Sequence, residues 1–263
     1  MDDNRQATVT NKKNVNFSNY GLGFISNVDL YNHTKETVEK YRFNINLNQF
    51  NKNLIDPIKL TFDSKVYNRD ITDVIESEII RQMDKSNTNH IGYFHQNIFK
   101  YIGKDWSIPK TGYDIINTKK HYYIEMKNKH NTMNSSSSQK SYIKMQGTLL
   151  EDSQATCMLV EVIARNSQNK NWNISIDGKP YSHEKIRRVS IDKFYEIITG
   201  NKQAFKELCE KLPIVIEDVV NNINDRHNSS TVIKELTKTS SDLLKSLYLL
   251  SFKNYEGFKD FNV

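Results

Sequence analysis

Three charged residues, Asp114, Glu125 and Lys127, stand at a spacing that could carry metal-dependent chemistry. Glu125 and Lys127 are two residues apart in a run rich in Tyr and Ile, and side chains two apart on a strand project from the same face. Residues 117–120 have the composition of a turn, which predicts a hairpin. In that hairpin Asp114 would lie across from about residue 123 or 124, and therefore close to Glu125.

Two neighbouring carboxylates repel each other unless a cation lies between them. Hard oxygen ligands of this kind favour a magnesium ion that keeps several waters and binds a phosphate. The main-chain carbonyl of Met126, between the two strand side chains, is a further candidate ligand. Lys127 would orient the nucleophile and stabilise the charge that grows on phosphorus, so the pattern indicates metal-assisted phosphodiester hydrolysis.

Glu78 is the candidate for a fourth member of this site. It falls on the apolar stripe of a predicted amphipathic helix over residues 69–85. A carboxylate in that position is costly to bury unless a metal or another cation meets it. We therefore expect the helix to pack against the site, and the alternative is that Glu78 flanks the stripe and reaches solvent.

The elements that must position these residues form a mixed α/β pattern. A hairpin over residues 112–127 is followed by a predicted helix over 135–152 and by a continuous apolar run, residues 155–164, that suits a strand buried on both faces. We expect a single nuclease domain over residues 1–263. Its predicted parts are a loose arm (1–25), a helical N-terminal part (26–110), a catalytic core (111–200) and a helical C-terminal part (201–263). Further predicted helices cover residues 29–42, 69–85, 90–101, 190–199, 202–223 and 231–252.

Composition and charge narrow the function classes. The 263 residues include 37% hydrophobic and 26% charged side chains but only 9 Gly and 4 Pro, which argues against disordered, collagen-like and all-β classes. No stretch approaches the roughly 18 apolar residues of a membrane span. The start lacks a secretory signal pattern, and Cys157 and Cys209 suit reduced thiols, so we expect a cytoplasmic protein without membrane contact. Residues 114–193 carry 13 basic and 8 acidic groups, so most of the net charge of +6 lies there and favours a polyanionic partner.

The motif Gly112-Tyr113-Asp114, followed after ten residues by Glu125-Met126-Lys127, resembles the PD-(D/E)xK nuclease signature, with Tyr-Asp in place of Pro-Asp. The continuation YIEMKNKHNT (123–132) and the segment IGYFHQ (91–96) together resemble type II restriction endonucleases that cut GGNCC-type or GGWCC-type sites. The resemblance extends over about residues 25–200. It implies a restriction-endonuclease-like fold, Mg²⁺ dependence and a homodimer on palindromic double-stranded DNA. It also implies that Asp114 and Glu125 are metal ligands and that Lys127 is the catalytic lysine.

Reading a G/C-rich duplex requires donors aimed at guanine O6 and N7. Three polar segments supply such donors. They are residues 128–132, directly after the predicted catalytic strand, residues 165–170, after the predicted buried strand, and a basic segment over residues 183–188. Residues 165–170 would emerge at the same edge of the sheet as residues 128–132 if the buried strand runs parallel to the catalytic strand. The candidate DNA-binding residues are Asn128, Lys129, His130, Asn131, Thr132, Arg165, Asn166, Lys185, Arg187 and Arg188.

The leading hypothesis is a type II site-specific deoxyribonuclease that cuts both strands of a short G/C-flanked palindrome, leaves 5′-phosphates and serves a restriction-modification system. One alternative is another PD-(D/E)xK nuclease, of the resolvase or repair type. A second alternative is a DNA-binding module without catalysis, in which the acidic pair is a feature of an exposed hairpin. Discrete plasmid fragments in Mg²⁺ would distinguish the first hypothesis from both alternatives.

Overall fold

A computed structural model of the chain describes residues 18–103, 105–130, 132–223, 230–252 and 254. A mixed sheet flanked by helices forms its centre, which confirms the predicted α/β class. The described helices are α1 (Asn27–Glu39), α2 (Leu47–Asn51), α3 (Pro57–Val66), α4 (Ile71–Asn97), α5 (Phe99–Ile102), α6 (Ser135–Glu151), α7 (Ile191–Thr199), α8 (Ala204–Asn221), α9 (Val232–Thr237) and α10 (Leu243–Phe252). The described strands are β1 (Ile115–Asn117), β2 (Tyr122–Lys129), β3 (Thr156–Ile163), β4 (Asn169–Asn171), β5 (Ile174–Ile176), β6 (Lys179–Tyr181) and β7 (Ile186–Ser190).

The main sheet has the strand order β1-β2-β3-β7-β4. Strands β2, β3 and β7 run parallel to one another, and β1 and β4 pair antiparallel at the two edges. The predicted hairpin is confirmed, with Ile115 opposite Ile124. Because β2 and β3 are parallel, the segments that follow them emerge at the same end of the sheet, as the sequence analysis required.

The two faces of the main sheet carry separate hydrophobic clusters. On one face Met126 and Val160 pack with residues of α1, α4, α5, α7 and α8. On the other face Leu159 and Cys157 pack under α6, against Tyr142 and Met145. Glu125 and Lys127 alternate with Met126 along β2, so they project toward the α6 face.

Helix α6 connects β2 to its parallel neighbour β3 and covers the catalytic strand. Asn134 caps its first turn by accepting a hydrogen bond from the backbone N–H of Ser137. At the other end, Asp152 accepts from the phenol of Tyr123 and pairs with Nδ1 of His121 at 2.7 Å. Both ends of α6 are therefore tied to segments that border the catalytic strand.

Two separate helices were predicted over residues 69–85 and 90–101. In the structure α4 runs through both and through the residues between them, and the end of the second predicted helix forms α5. The polar stretch between the two predicted helices contains weak helix formers but no proline. The helix continues through this stretch and is 27 residues long in all. The Asn87 side chain accepts a hydrogen bond from the backbone N–H of Arg42 at 3.0 Å. A tertiary contact therefore supports the part of the helix that its own propensity supports least.

A third hydrophobic cluster lies apart from the sheet and joins the first half of α4 to α2, α3, α9 and α10. The helix predicted over residues 231–252 is two helices, because Asp242 accepts a hydrogen bond from the backbone N–H of Lys245 and begins a new helix. The N-terminal and C-terminal helical parts thus share this cluster. Helix α3 also exposes an apolar stripe, in which Phe62 is 66% exposed.

The predicted loose arm over residues 1–25 is only partly within the described residues, which begin at Ser18. The described part is packed and not loose: Tyr20 is 1% exposed, and its phenol donates to Asp218 on α8. Cys157 is buried and Cys209 is exposed, and both are free thiols. Within the described ranges, no helix is long and apolar enough to cross a membrane.

Phe194 on α7 provides a test of the cluster beneath the main sheet. It is fully buried, with its ring centroid 5.0 Å from that of Phe99 and 5.8 Å from that of Trp106. We predict that Phe194→Ala lowers the free energy of unfolding by about 3–5 kcal/mol, because it removes buried apolar surface and leaves a cavity. Urea denaturation followed by circular dichroism measures this loss. Phe62→Ala, at an exposed position, is the control and should cost about 0.5 kcal/mol or less; similar losses in both variants would contradict the assigned core.

Candidate active site

The hairpin brings Asp114 directly beside the catalytic strand. The backbone N–H of Asp114 donates to the carbonyl of Ile124 at 2.9 Å, and its carboxylate accepts from the backbone N–H of Met126 at 2.7 Å. Backbone groups two residues apart on a strand face the same edge, so the Met126 carbonyl points toward the Asp114 side of β2. Asp114, Glu125 and the Met126 carbonyl are therefore brought together, as predicted.

Two lysines hold the Glu125 carboxylate. The Lys127 ammonium donates to one carboxylate oxygen at 2.7 Å, and the Lys144 ammonium donates to the other at 2.6 Å. Lys144 lies on α6, so a helix and a strand meet at this carboxylate. The sequence analysis had predicted the proximity of Glu125 and Lys127 but missed Lys144, whose only local signal was its place beside the apolar residues Tyr142 and Met145.

Tyr113, the position where the motif departs from Pro-Asp, packs the hairpin against α6. Its ring lies 4.2 Å from the Lys144 ammonium, and its hydroxyl is 2.7 Å from Oγ1 of Thr148. The Lys144 ammonium also donates to the carbonyl of Gly112 at 3.2 Å. The residues before Asp114 therefore orient the second lysine, a role that goes beyond backbone geometry.

The two carboxylates titrate differently because their surroundings differ. Burial raises the pKa of Asp114, and the nearby charge of Glu125 adds to this, while the Met126 N–H and the two lysines act in the opposite direction. Burial alone would also raise the pKa of Glu125, but its hydrogen bonds and charge interactions with Lys127 and Lys144 outweigh burial and lower it. Glu125 is thus the more readily ionised of the pair.

The donor set around Asp114 fits a magnesium ion. It offers two carboxylates and one main-chain carbonyl, and all three ligands are hard oxygens. Over the described ranges of the chain, no group of three or more His, Cys, Asp or Glu side chains could hold a metal. An ion at this site would therefore complete its coordination with water and substrate oxygens, as magnesium commonly does.

The structure does not bring Glu78 into contact with the residues of this site, and its catalytic role stays a prediction. It lies in the first half of α4, whereas Phe94, sixteen residues later and about 24 Å along the helix, packs in the cluster beneath the sheet. Glu78 is 8% exposed, and its carboxylate accepts from Arg81 at 2.6 Å and from Gln82 at 3.0 Å. The cation that a buried carboxylate requires is a neighbour on its own helix.

A polar cleft of about 390 Å³ extends from Lys127 toward the end of the sheet, on the α6 face. Lys129, His130, Thr132 and Arg188 line it, so four of the predicted DNA-binding residues share one surface with Lys127. Asn131 lies outside the described residues. The cleft also contains Glu161, which the sequence analysis missed although a glutamate within an otherwise apolar strand requires a partner.

The remaining DNA-binding candidates separate into two groups. Asn128, Arg165 and Asn166 line a second, more open depression of about 630 Å³ at the same end of the sheet. Lys185 and Arg187 line neither of these two surfaces, and their role in DNA binding stays a prediction.

Residues 183–188 do not form one loop, because β7 begins at Ile186. Lys185 therefore precedes the first residue of a parallel strand, at the end of the sheet opposite the cleft, and its ammonium donates to the carbonyl of Ser153. Arg187 alternates with Arg188 on β7 and faces away from the cleft. Its guanidinium donates to Asn169 and Asn171 of β4.

Comparison with known proteins agrees with this geometry. Residues 22–221 match the Eco47II restriction endonuclease family. The chain is 33% identical to the type II restriction enzyme Sau96I of Staphylococcus aureus over 225 residues, which cover 81% of this chain and 86% of that protein. It is 27% identical to the type II restriction enzyme Eco47II of Escherichia coli over 214 residues, covering 76% of this chain and 88% of that protein.

The matched region contains the whole main sheet, with Asp114, Glu125 and Lys127 at its centre. The mixed sheet flanked by helices is consistent with a restriction-endonuclease-like fold. The chain belongs to the Eco47II restriction endonuclease family and is a type II restriction endonuclease.

Proposed function

We propose that this endonuclease uses Mg²⁺ to hydrolyse double-stranded DNA at a short G/C-flanked palindrome of the GGNCC type, leaving 5′-phosphates. The observation that carries the catalytic part is the Glu125 carboxylate, held by Lys127 and Lys144 next to the Asp114 carboxylate. The resemblance of residues 91–96 and 123–132 to enzymes that cut such sites supports the specificity. The enzyme acts as one member of a restriction-modification system, in the cytoplasm where the DNA lies.

The metal ligands in this proposal are Asp114, Glu125 and the Met126 carbonyl. When bound, Mg²⁺ polarises the scissile phosphate and lowers the pKa of a coordinated water. The Met126 N–H orients the Asp114 carboxylate, and the two lysines orient that of Glu125. The half-buried Lys127 side chain lines the cleft, and its ammonium stabilises negative charge that develops on the phosphate.

The DNA contacts in this proposal come from the end of the sheet where β2 and β3 finish. The residues assigned to DNA are those that lie at this end, namely Asn128, Lys129, His130, Thr132, Arg165, Asn166 and Arg188. We also propose a homodimer, because the two-fold symmetry of a palindrome is matched by two-fold symmetry of the protein. Each protomer would then cut one strand.

Digestion of a plasmid of known sequence tests the function directly. We expect discrete fragments in Mg²⁺, no product in EDTA, and sequenced ends that carry 5′-phosphates and share one palindrome. Lys127→Ala should abolish cleavage while the circular dichroism spectrum and melting temperature stay close to those of the parent enzyme. Random nicking, cutting only of branched DNA, or full activity in Lys127→Ala would each contradict the proposal.

Lys144 provides a separate test of how Glu125 is held. Lys144→Met removes one of the two cations that lower the pKa of Glu125, so that pKa should rise. We expect kcat to fall by about 10²-fold and the acidic limb of the pH–rate profile to move to higher pH. Lys140→Met, one turn earlier at an exposed position of α6, is the matched control and should leave both unchanged. An acidic limb that does not move in Lys144→Met would refute the assigned role.

We expect the ionised Asp114 carboxylate to lower the stability of the folded enzyme, although cleavage requires it. Burial raises its pKa in the folded state, so its ionised form destabilises the fold at every pH above the folded pKa, and this cost disappears below the unfolded value. We predict that Asp114→Asn abolishes cleavage but raises the melting temperature at neutral pH by a few degrees. Thermal denaturation from neutral to acidic pH should show the gain narrowing as pH falls. Lower stability of Asp114→Asn at neutral pH would contradict this.

A further inference from the structure

Glu161 is an ionisable residue, almost completely buried, that the catalytic proposal does not use. It lies on β3 and is 1% exposed. One carboxylate oxygen accepts from Nε of Arg188 at 3.0 Å and from Nη2 of the same guanidinium. The other lies 3.1 Å from Nδ1 of His130 and 3.5 Å from the amide nitrogen of Gln168. A buried carboxylate is stable only with such partners, so Glu161 holds two cleft residues in fixed positions.

The sheet places Arg188 near the catalytic strand but away from the catalytic pair. Leu159 of β3 is opposite both Glu125 on β2 and Arg188 on β7. Arg188 is therefore two strands away from Glu125, about 10 Å across the same face of the sheet. That distance separates Arg188 from the metal ligands and leaves it on the surface that a DNA strand at Lys127 would cross.

The cleft that contains Lys127 and Arg188 has the composition of an anion-binding site. Among the described residues that line it, Lys127, Lys129 and Arg188 contribute three positive charges, and Glu161 is the only carboxylate. The oxygens of Glu161 already accept from Arg188 and face His130. With Nδ1 engaged in this way, Nε2 is the ring nitrogen of His130 that remains for a ligand. The hydroxyls of Thr132 and Ser138 add neutral donors to the lining.

We propose that this cleft binds a backbone phosphate of the DNA strand next to the phosphate that is cut, through Arg188, Lys129 and His130. Glu161 is a positioning residue that fixes the guanidinium and the imidazole before DNA binds. The inference rests on the proposed function, because it takes the cut strand to lie at Lys127. It assigns the cleft to the sugar-phosphate backbone, so its contribution is independent of base sequence.

The salt dependence of DNA binding tests this assignment without cleavage. The logarithm of the association constant falls linearly with the logarithm of salt concentration, and each neutralised phosphate contributes about 0.9 to the slope on duplex DNA. We would measure binding of a mixed-sequence duplex by fluorescence anisotropy in EDTA over a range of KCl concentrations. Arg188→Met and Lys129→Met should each weaken binding and reduce the slope, and the double variant should reduce it by about 0.9, the contribution of one phosphate.

Two variants provide matched controls. Arg187→Met changes the neighbouring arginine, which faces away from the cleft, and Lys120→Met changes an exposed lysine at the other end of the catalytic strand. Neither should alter the slope. A slope that falls equally in the controls would mean that overall charge, and not this cleft, determines binding, which would overturn the proposal.

Glu161→Gln separates positioning from simple charge balance. If Glu161 only reduced the positive charge of the cleft, Glu161→Gln would bind DNA more tightly, and that outcome would overturn its positioning role. We expect weaker binding and a reduced slope, because Arg188 loses its fixed partner. Since an unpaired buried charge can destabilise the fold, Glu161→Gln combined with Arg188→Met removes both charges together and should show the same reduced slope.

Two further results would distinguish this proposal from the proposed function. If Arg188→Met and Lys129→Met weaken binding only to a duplex that contains the mapped cleavage site, the cleft reads bases, and the phosphate assignment is wrong. If the parent enzyme fails to cut plasmid DNA in Mg²⁺ while the slopes change as expected, the proposed cleavage reaction fails and the phosphate site stands.

Discussion

The structure of this endonuclease depends most on how it keeps one carboxylate ionised in a partly buried place. Burial opposes the charge of Glu125, and two lysines from different elements reverse that effect. For this to happen, β2 must present Glu125 and Lys127 on one face, and α6 must lie over that face with Lys144 toward the strand. The hairpin then adds Asp114 from the side of β2 that pairs with β1. The pairing of β1 with β2 and the position of the crossover helix both serve this requirement.

The same sheet surface also explains the uneven charge of the chain. Most of the positive excess lies between residues 114 and 193, and the structure gathers part of it into a cleft that begins at Lys127. Parallel strands make this possible, because side chains at matching register on β2, β3 and β7 share one face. Glu161 of β3 is opposite Lys127, and its carboxylate accepts from Arg188 of β7, so a negative charge lies among the cations of the cleft. Local charge balance is therefore built into the interior of the sheet.

The arrangement of Asp114, Glu125 and Lys127 could be predicted from sequence because local rules determine it. A strand period of two placed Glu125 and Lys127 together, and a short turn placed Asp114 beside them. Contacts between distant segments could not be predicted in this way. Lys144 reaches Glu125 only through the docking of α6. Glu78 is a different case, because its cation is a local neighbour, Arg81, three residues later on the same helix. The strand that carries Arg188 was not predicted, although Asp177 and Gly178, both with positive φ, form the turn of a hairpin just before it.

The connection from β2 through α6 to β3 also has a consequence for how the enzyme folds. Parallel strands cannot pair until their connecting segment has closed, so their contacts form between residues far apart in the chain and such topologies fold slowly. Glu125 lies on β2, and Lys144 lies on the connecting helix itself. The hairpin with Asp114 is local and needs no such closure. During refolding, Asp114 and Glu125 can therefore come together well before Lys144 reaches them. The recovery of the complete site then reports the late step in which the crossover helix docks.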